Sequence, residues 1–263
     1  MSKAALLIGI NYKNSDNKLD GCINDVNNVK KMLTKIYKYK LKDITVLTDD
    51  TIIKPTLSNI IIQLYNLAFK TIKEGTREVW ISYSGHGSYV TDTSGDEKDG
   101  KDECLVPIDF KTSGLLKDDI IHHILSCFNP RTKVIFVADT CYSETLLDLQ
   151  YRYISGNKNV VENNNSKISS NIMMISGCKD NEVSADAYNI SNSKEYSGAM
   201  TSALLGVLEK YEYNITCWVL LKEMRLFLND RKFTQIPQIC CSNPMDSMTF
   251  FSYLKKPDVF ITH

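Results

Sequence analysis

Apolar residues along this chain follow two spacings. In Ala4–Ile10, Ile44–Leu47, Glu78–Tyr83, Val134–Ala138 and Ile172–Ser176 nearly every position is apolar, the pattern of short strands covered on both faces. Between these runs the spacing changes to three and four. Leu57, Ile60, Ile61, Leu64, Leu67 and Ala68 predict one face of an amphipathic helix, with Pro55 tolerated near its start and Gly75 closing it. Residues 22–38, 120–125, 198–210 and 217–228 read as further helices, and Met248–Tyr253 as a late strand. Strands alternating with helices imply right-handed crossovers and a mostly parallel sheet with helices on both faces.

Two stretches fit neither period. Tyr151–Ser170 holds Asn157, Asn159 and Asn163-Asn164-Asn165 with little apolar content, and reads as an exposed linker inside a single domain. Ser84–Glu103 is rich in Gly and Asp, and loops of about 20 residues in a compact domain are usually functional or disordered.

Composition narrows the classes. Of 263 residues 43% are hydrophobic and 24% charged, an ordinary globular mixture. Thirty-one basic residues balance 31 acidic ones, which argues against binding nucleic acid through a general basic field. The apolar run Ala4–Ile8 is too short for a signal core or a membrane span, so the expected location is the cytoplasm. Eight cysteines occur without a CxxC pair, which disfavours a zinc ribbon and predicts reduced, mostly buried thiols.

Open α/β sheets bind ligands at the carboxyl ends of their strands. Glu78–Tyr83 runs into Ser84-Gly85-His86-Gly87, and Val134–Ala138 into Asp139-Thr140-Cys141. If the two strands are neighbours, His86 and Cys141 share one rim. An imidazole beside a thiol is the minimum for nucleophilic cysteine catalysis, and the Gly87 and Cys141 amides would serve as oxyanion donors. Each residue alone is more often structural; the pair at two strand ends is the signal. His122 and His123 fall in a helix and His263 at the terminus. Cys178, after Ser176-Gly177, is the best rival nucleophile and reads as a core or pocket residue.

These residues resemble the metacaspase family, the caspase-fold cysteine peptidases. The resemblance rests on Tyr83-Ser84-Gly85-His86-Gly87 and Asp139-Thr140-Cys141-Tyr142-Ser143, together with Leu7–Tyr12, Leu19–Asp25, Asp102–Asp109, Ile175–Cys178, Ser184–Ala187, Gly198–Thr201 and Ile236–Gln238. It implies a caspase-like three-layer fold with a six-stranded central sheet. It also implies a large-subunit-like region over 1–150, a linker over 151–170 and a small-subunit-like region over 171–263. The chain resembles a type I member without its prodomain. The resemblance further implies a monomeric endopeptidase acting on protein or peptide substrates after Arg or Lys, with no nucleic-acid or membrane partner. His86, Cys141 and Gly87 would form the catalytic set, and Cys22, Asp25, Ser84 and Asp139 the pocket for the basic side chain. Asp102, Asp118, Asp119 and Asp148 fall where metacaspases place calcium ligands, although composition alone reads the acidic stretch Asp92–Asp119 as a solvated loop. A linker carrying Arg152, Lys158 and Lys167 would be a self-cleavage site.

Two residues depart from the family pattern. Tyr142 stands where the family has His, and Glu144 where it has Gly. A carboxylate beside the thiol would raise its pKa. This keeps open an alternative: a caspase-fold pseudoenzyme acting as a binding or regulatory protein. An EF-hand over Asp92–Glu103 is rejected, because its sixth position is Glu97 and its flanks are not helices.

Overall fold

In a computed structural model, residues 2–91, 100–141, 143, 146–153, 160–161, 168–177, 186–188 and 196–244 are described. In chain order the first half contains β1 (Lys3–Gly9), α1 (Cys22–Lys35), β2 (Ile44–Thr48), α2 (Leu57–Lys73), β3 (Glu78–Ser84), β4 (Gly87–Thr91), β5 (Lys101–Leu105), α3 (Phe110–Ser113), β6 (Leu116–Lys117), α4 (Asp118–Ser126) and β7 (Lys133–Asp139). There follow β8 (Tyr151–Tyr153), β9 (Val160–Val161), β10 (Asn171–Ser176), β11 (Asp186–Tyr188), β12 (Tyr196–Gly198), α5 (Ala199–Lys210), α6 (Cys217–Asp230) and β13 (Gln238–Cys241).

The central sheet has the order β2-β1-β3-β7-β10-β13-β8-β9. Its first five strands are parallel, and β13, β8 and β9 each join antiparallel. Side-chain alternation sorts each strand onto two faces. Ala5, Leu7, Trp80, Ile135 and Val137 pack under α1, α5 and α6, while Leu6, Ile8, Val79, Ile81, Val134 and Phe136 pack under α2 and α4. Both faces are therefore dry, as the uninterrupted apolar runs require. Thr56 caps α2 by accepting from the Asn59 N–H, and Thr216 caps α6 by accepting from Val219.

The expected three-layer architecture is present, with two differences in the sheet. It has eight strands rather than six, because the expected linker itself contributes two, β8 and β9: β8 pairs with β13 and β9 with β8, and Tyr153 is fully buried with its ring edge-on to Trp218 at 5.1 Å. A three-residue strand inside an Asn-rich stretch has no periodicity to betray it. The sixth strand is β13, an element that hydrophobic pattern did not predict. Met248–Tyr253, Lys158 and Lys167 lie outside the described residues. The second irregular stretch is bounded by a small antiparallel sheet, β4-β5-β6, which leads directly into α4.

Candidate active site at the sheet rim

Strand register brings the two chemical residues together. In the parallel β3–β7 pair Ser84 lies opposite Asp139, so His86 and Cys141 each stand two residues beyond the same rung. Gly87 shows how close the segments come. A Cβ there would sit 2.0 Å from the Cys141 carbonyl oxygen and 2.5 Å from Thr140 Oγ1, so no larger residue fits. Gly87 also pairs with Leu105 next to the rung in which the Val106 N–H donates to the His86 carbonyl. In an antiparallel ladder the pair beside a hydrogen-bonded one is not hydrogen-bonded, so the Gly87 N–H points away from β5.

His86 is half-buried and held on several sides. Its Nε2 lies 2.7 Å from the Asn17 carbonyl oxygen. A carbonyl only accepts, so Nε2 carries a proton, and in the neutral ring Nδ1 is then the nitrogen with the lone pair a base needs. The Tyr12 ring leans against the imidazole, with centroids 4.8 Å apart. Cys141 is buried, with 9% of its surface exposed. Tyr142 and Glu144, the two departures from the family pattern, lie outside the described residues, as does Cys178. None of the described cysteines forms a disulfide, and only Cys127 is exposed.

The pocket residues expected from the sequence also converge. Asp25, in the first turn of α1, is 2% exposed and accepts a hydrogen bond from Ser84 Oγ at 2.6 Å. Its two oxygens also accept from the Gly198 N–H at 3.0 and 3.1 Å. Asp139, 3% exposed, accepts from the Thr201 N–H at 2.8 Å. A Cβ on Gly198 would lie 2.2 Å from Asp139 Oδ2 and 2.7 Å from Asp25 Oδ2, which places both carboxylates at the N-terminus of α5. Peptide N–H groups and the helix dipole offset the cost of burying two anions there. Cys22 opens α1 with its carbonyl pressed on Gly9, where a Cβ would come within 2.4 Å of it.

A second acidic group joins β5 of the small sheet to the first turn of α4. Carboxylate oxygens of Asp102, Asp118 and Asp119 lie within 4.8 Å of one another. Asp102 and Asp118 are buried and Asp119 is exposed. Lys117 Nζ reaches Asp102 at 2.5 Å, while Asp118 accepts from the Glu103 and Asp119 N–H groups. Burial pushes the Asp118 carboxyl up to about 7 against those hydrogen bonds. Asp148, the fourth expected ligand, stands outside this cluster in a left-handed turn with φ +45°. The preceding carbonyl, Leu147, is tied to α4 by His122 Nδ1 at 2.9 Å.

Sequence reasoning gave no role to Tyr12, Asn17, Lys117, Gly198 or Thr201. Tyr12, Gly198 and Thr201 fall in stretches already noted for their resemblance, but a motif does not say what its residues touch. Asn17 acts through its backbone, which no side-chain pattern reports.

Comparison with known proteins agrees with the geometry. The family description "Metacaspase, peptidase C14 domain" matches residues 3–150. Metacaspase-1 of Kluyveromyces lactis is 34% identical across 93% of this chain and 67% of its own length. Metacaspase-1A of Neurospora crassa is 32% identical across 93% of this chain and 63% of its own length. The chain thus spans about two thirds of the length of these relatives. Among solved structures, a Geobacter sulfurreducens protein superposes with TM-score 0.67 at 24% identity, covering 97% of each chain. Caspase-1 of Spodoptera frugiperda superposes with TM-score 0.56 at 11% identity, covering 92% of this chain and 86% of its own, and likewise shares the fold. The chain belongs to the metacaspase family and carries that family's cysteine-peptidase domain.

Proposed function

We propose that this protein is an endopeptidase in which Cys141 is the nucleophile and His86 the base, cleaving after Arg or Lys. The observation that carries the reading is the common rung: Ser84 and Asp139 pair, and both segments then turn onto one rim with Gly87 against Cys141. His86 Nδ1 would take the Cys141 proton as sulfur attacks the scissile carbonyl. The Gly87 and Cys141 N–H groups would receive the oxyanion, and His86 would return the proton to the leaving amine. Water would then hydrolyse the thioester. Asp25 and Asp139 support a basic substrate side chain, since two carboxylates in a desolvated recess suit guanidinium or ammonium and repel an acid.

The Asp102, Asp118 and Asp119 cluster supports regulation by calcium. Its donors are hard oxygens, and Lys117 already marks a place for positive charge on Asp102. With calcium bound, the mutual repulsion of these acids would be neutralised. Asp148, outside the group of three, would supply a fourth oxygen from the segment that follows Cys141. Self-cleavage within 154–170 remains part of the proposal; Arg152 suits it poorly, being paired with Cys240 inside the sheet.

The test compares wild type with Cys141→Ala on Arg-, Lys- and Asp-terminated fluorogenic peptides, with calcium and with chelator. Hydrolysis of the basic peptides by wild type alone is expected. Equal turnover of the Asp peptide, or activity that survives in Cys141→Ala, would refute the assignment.

A further inference from the structure

The histidine is built into the last rung of the small sheet, and that rung is unusual. Extending the β4–β5 register by one residue sets His86 opposite Val106. An ordinary rung would have two direct bonds between them. Only one is present, from the Val106 N–H to the His86 carbonyl at 3.2 Å. In place of the other stands a phenol: the His86 N–H donates to Tyr12 Oη at 3.1 Å, and Tyr12 Oη donates to the Val106 carbonyl at 2.6 Å. A second phenol braces the same rung. Tyr83 Oη donates to the His86 carbonyl at 2.8 Å and accepts from the Val106 N–H at 3.2 Å. Tyr83 Oη also lies 3.0 Å from the Val106 carbonyl, and the Val106 N–H is shared between the His86 carbonyl and Tyr83 Oη, so all four backbone groups of the rung have a partner.

We propose that Tyr12 and Tyr83 are positioning residues for His86, their hydroxyls inserted in the β4–β5 rung so that the imidazole is held toward Cys141. This rests on the reading of His86 as the base. Three independent features point the same way. The two hydroxyl oxygens are 3.2 Å apart, and a Cβ on Gly85 would lie 2.9 Å from one and 3.1 Å from the other, so the space is shaped around them. Tyr12 is 3% exposed and adopts a left-handed backbone with φ +48°, a conformation costly for a bulky side chain and concentrated at functional sites. From that strained position its segment reaches His86 three ways: by hydroxyl, by ring and through the Asn17 carbonyl on Nε2. Burial raises both phenols above their ordinary range, so they remain donors at neutral pH. Without the Tyr12 hydroxyl the direct rung would be free to close, drawing the His86 backbone toward Val106 and away from the rim.

The test uses Tyr12→Phe, with Tyr83→Phe as the second variant should the first fail to fold. Activity is read on an Arg-terminated peptide, and the His86 ring nitrogens are read by NMR in the Cys141→Ala background. The expected result is a kcat lower by about 10- to 100-fold with KM within about twofold, because small misplacements of a catalytic group act on the chemical step. The NMR should show the single Nε2–H tautomer of the wild type giving way to a mixture. Folded variants whose His86 nitrogen shifts match the parent would overturn the proposal, whatever their activity. The NMR arm needs no turnover, so a wild type that cleaves nothing would defeat the peptidase reading alone.

Discussion

Two acidic groups lie in this protein, and they differ in their neighbours: peptide N–H groups meet both carboxylates of the first, while the second adds a third acid and an ammonium to such contacts. Asp25 and Asp139 meet at the N-terminus of α5, where peptide N–H groups and Ser84 Oγ point at their oxygens. Asp102 on β5 clusters with Asp118 and Asp119 at the start of α4; Asp102 holds the Lys117 ammonium, and Asp118 accepts from the Glu103 and Asp119 N–H groups. Dipoles fix a carboxylate in place while leaving its charge available to a visiting cation. Clustered acids instead raise each other's cost of ionisation, and the Asp118 carboxyl is held up to about 7, chiefly by burial. On the proposed reading, the first set would recognise a basic side chain and the second would gain stability when a cation arrives.

The largest effect that would break this contrast is at the rim. Asp25→Asn keeps an acceptor for the Gly198 N–H but removes the charge. It is expected to lower kcat/KM on Arg-terminated peptides by about 100-fold, the order of one charge-assisted hydrogen bond. The thermal transition should move far less, and wild-type kinetics in this variant would remove Asp25 from the pocket.

A middle-sized effect sharpens the other side. Calcium at about 100 times its dissociation constant should stabilise wild type by about 2.7 kcal/mol, measured by thermal melting, and leave Asp118→Asn nearly unmoved. The pH dependence follows from the raised Asp118 carboxyl. Its folded pKa of about 7 exceeds the unfolded value of about 3.9, so in chelator the folded state holds more protons across that window. Stability in chelator should therefore fall as pH rises from about 4 to 7, and the calcium-induced shift should shrink below pH 7 as protons compete. An equal calcium shift in wild type and Asp118→Asn would show that the cluster is not the site.

The smallest effect concerns Lys117, whose ammonium competes with any metal for Asp102. Lys117→Ala should tighten calcium binding a few-fold in calorimetry and lower the melting temperature slightly in chelator. Weaker binding would mean that Lys117 organises the cluster rather than competing for it.

Hydrophobic spacing by itself determined the alternation of strands and helices, the dry character of both sheet faces and the placing of His86 and Cys141 at strand ends. These follow from local physics, because a period of two or of 3.6 records which side of an element is buried. The same reading placed α4, α5 and α6 to within a few residues, and ran α1 three residues too long because Tyr37, beyond its end, is buried like a helical core residue. Tertiary structure alone decided that β3 and β7 are neighbours in the register pairing Ser84 with Asp139. It also decided that Asp25 meets the Gly198 N–H from 173 positions away, and that Tyr153 turns the start of a polar linker into a strand. It set Asp148 apart from the other three aspartates, and it wove Tyr12 and Tyr83 into the rung that carries His86. Such contacts join single residues from distant segments. A lone tyrosine or aspartate repeats with no period, so nothing in its surrounding sequence marks what it will meet.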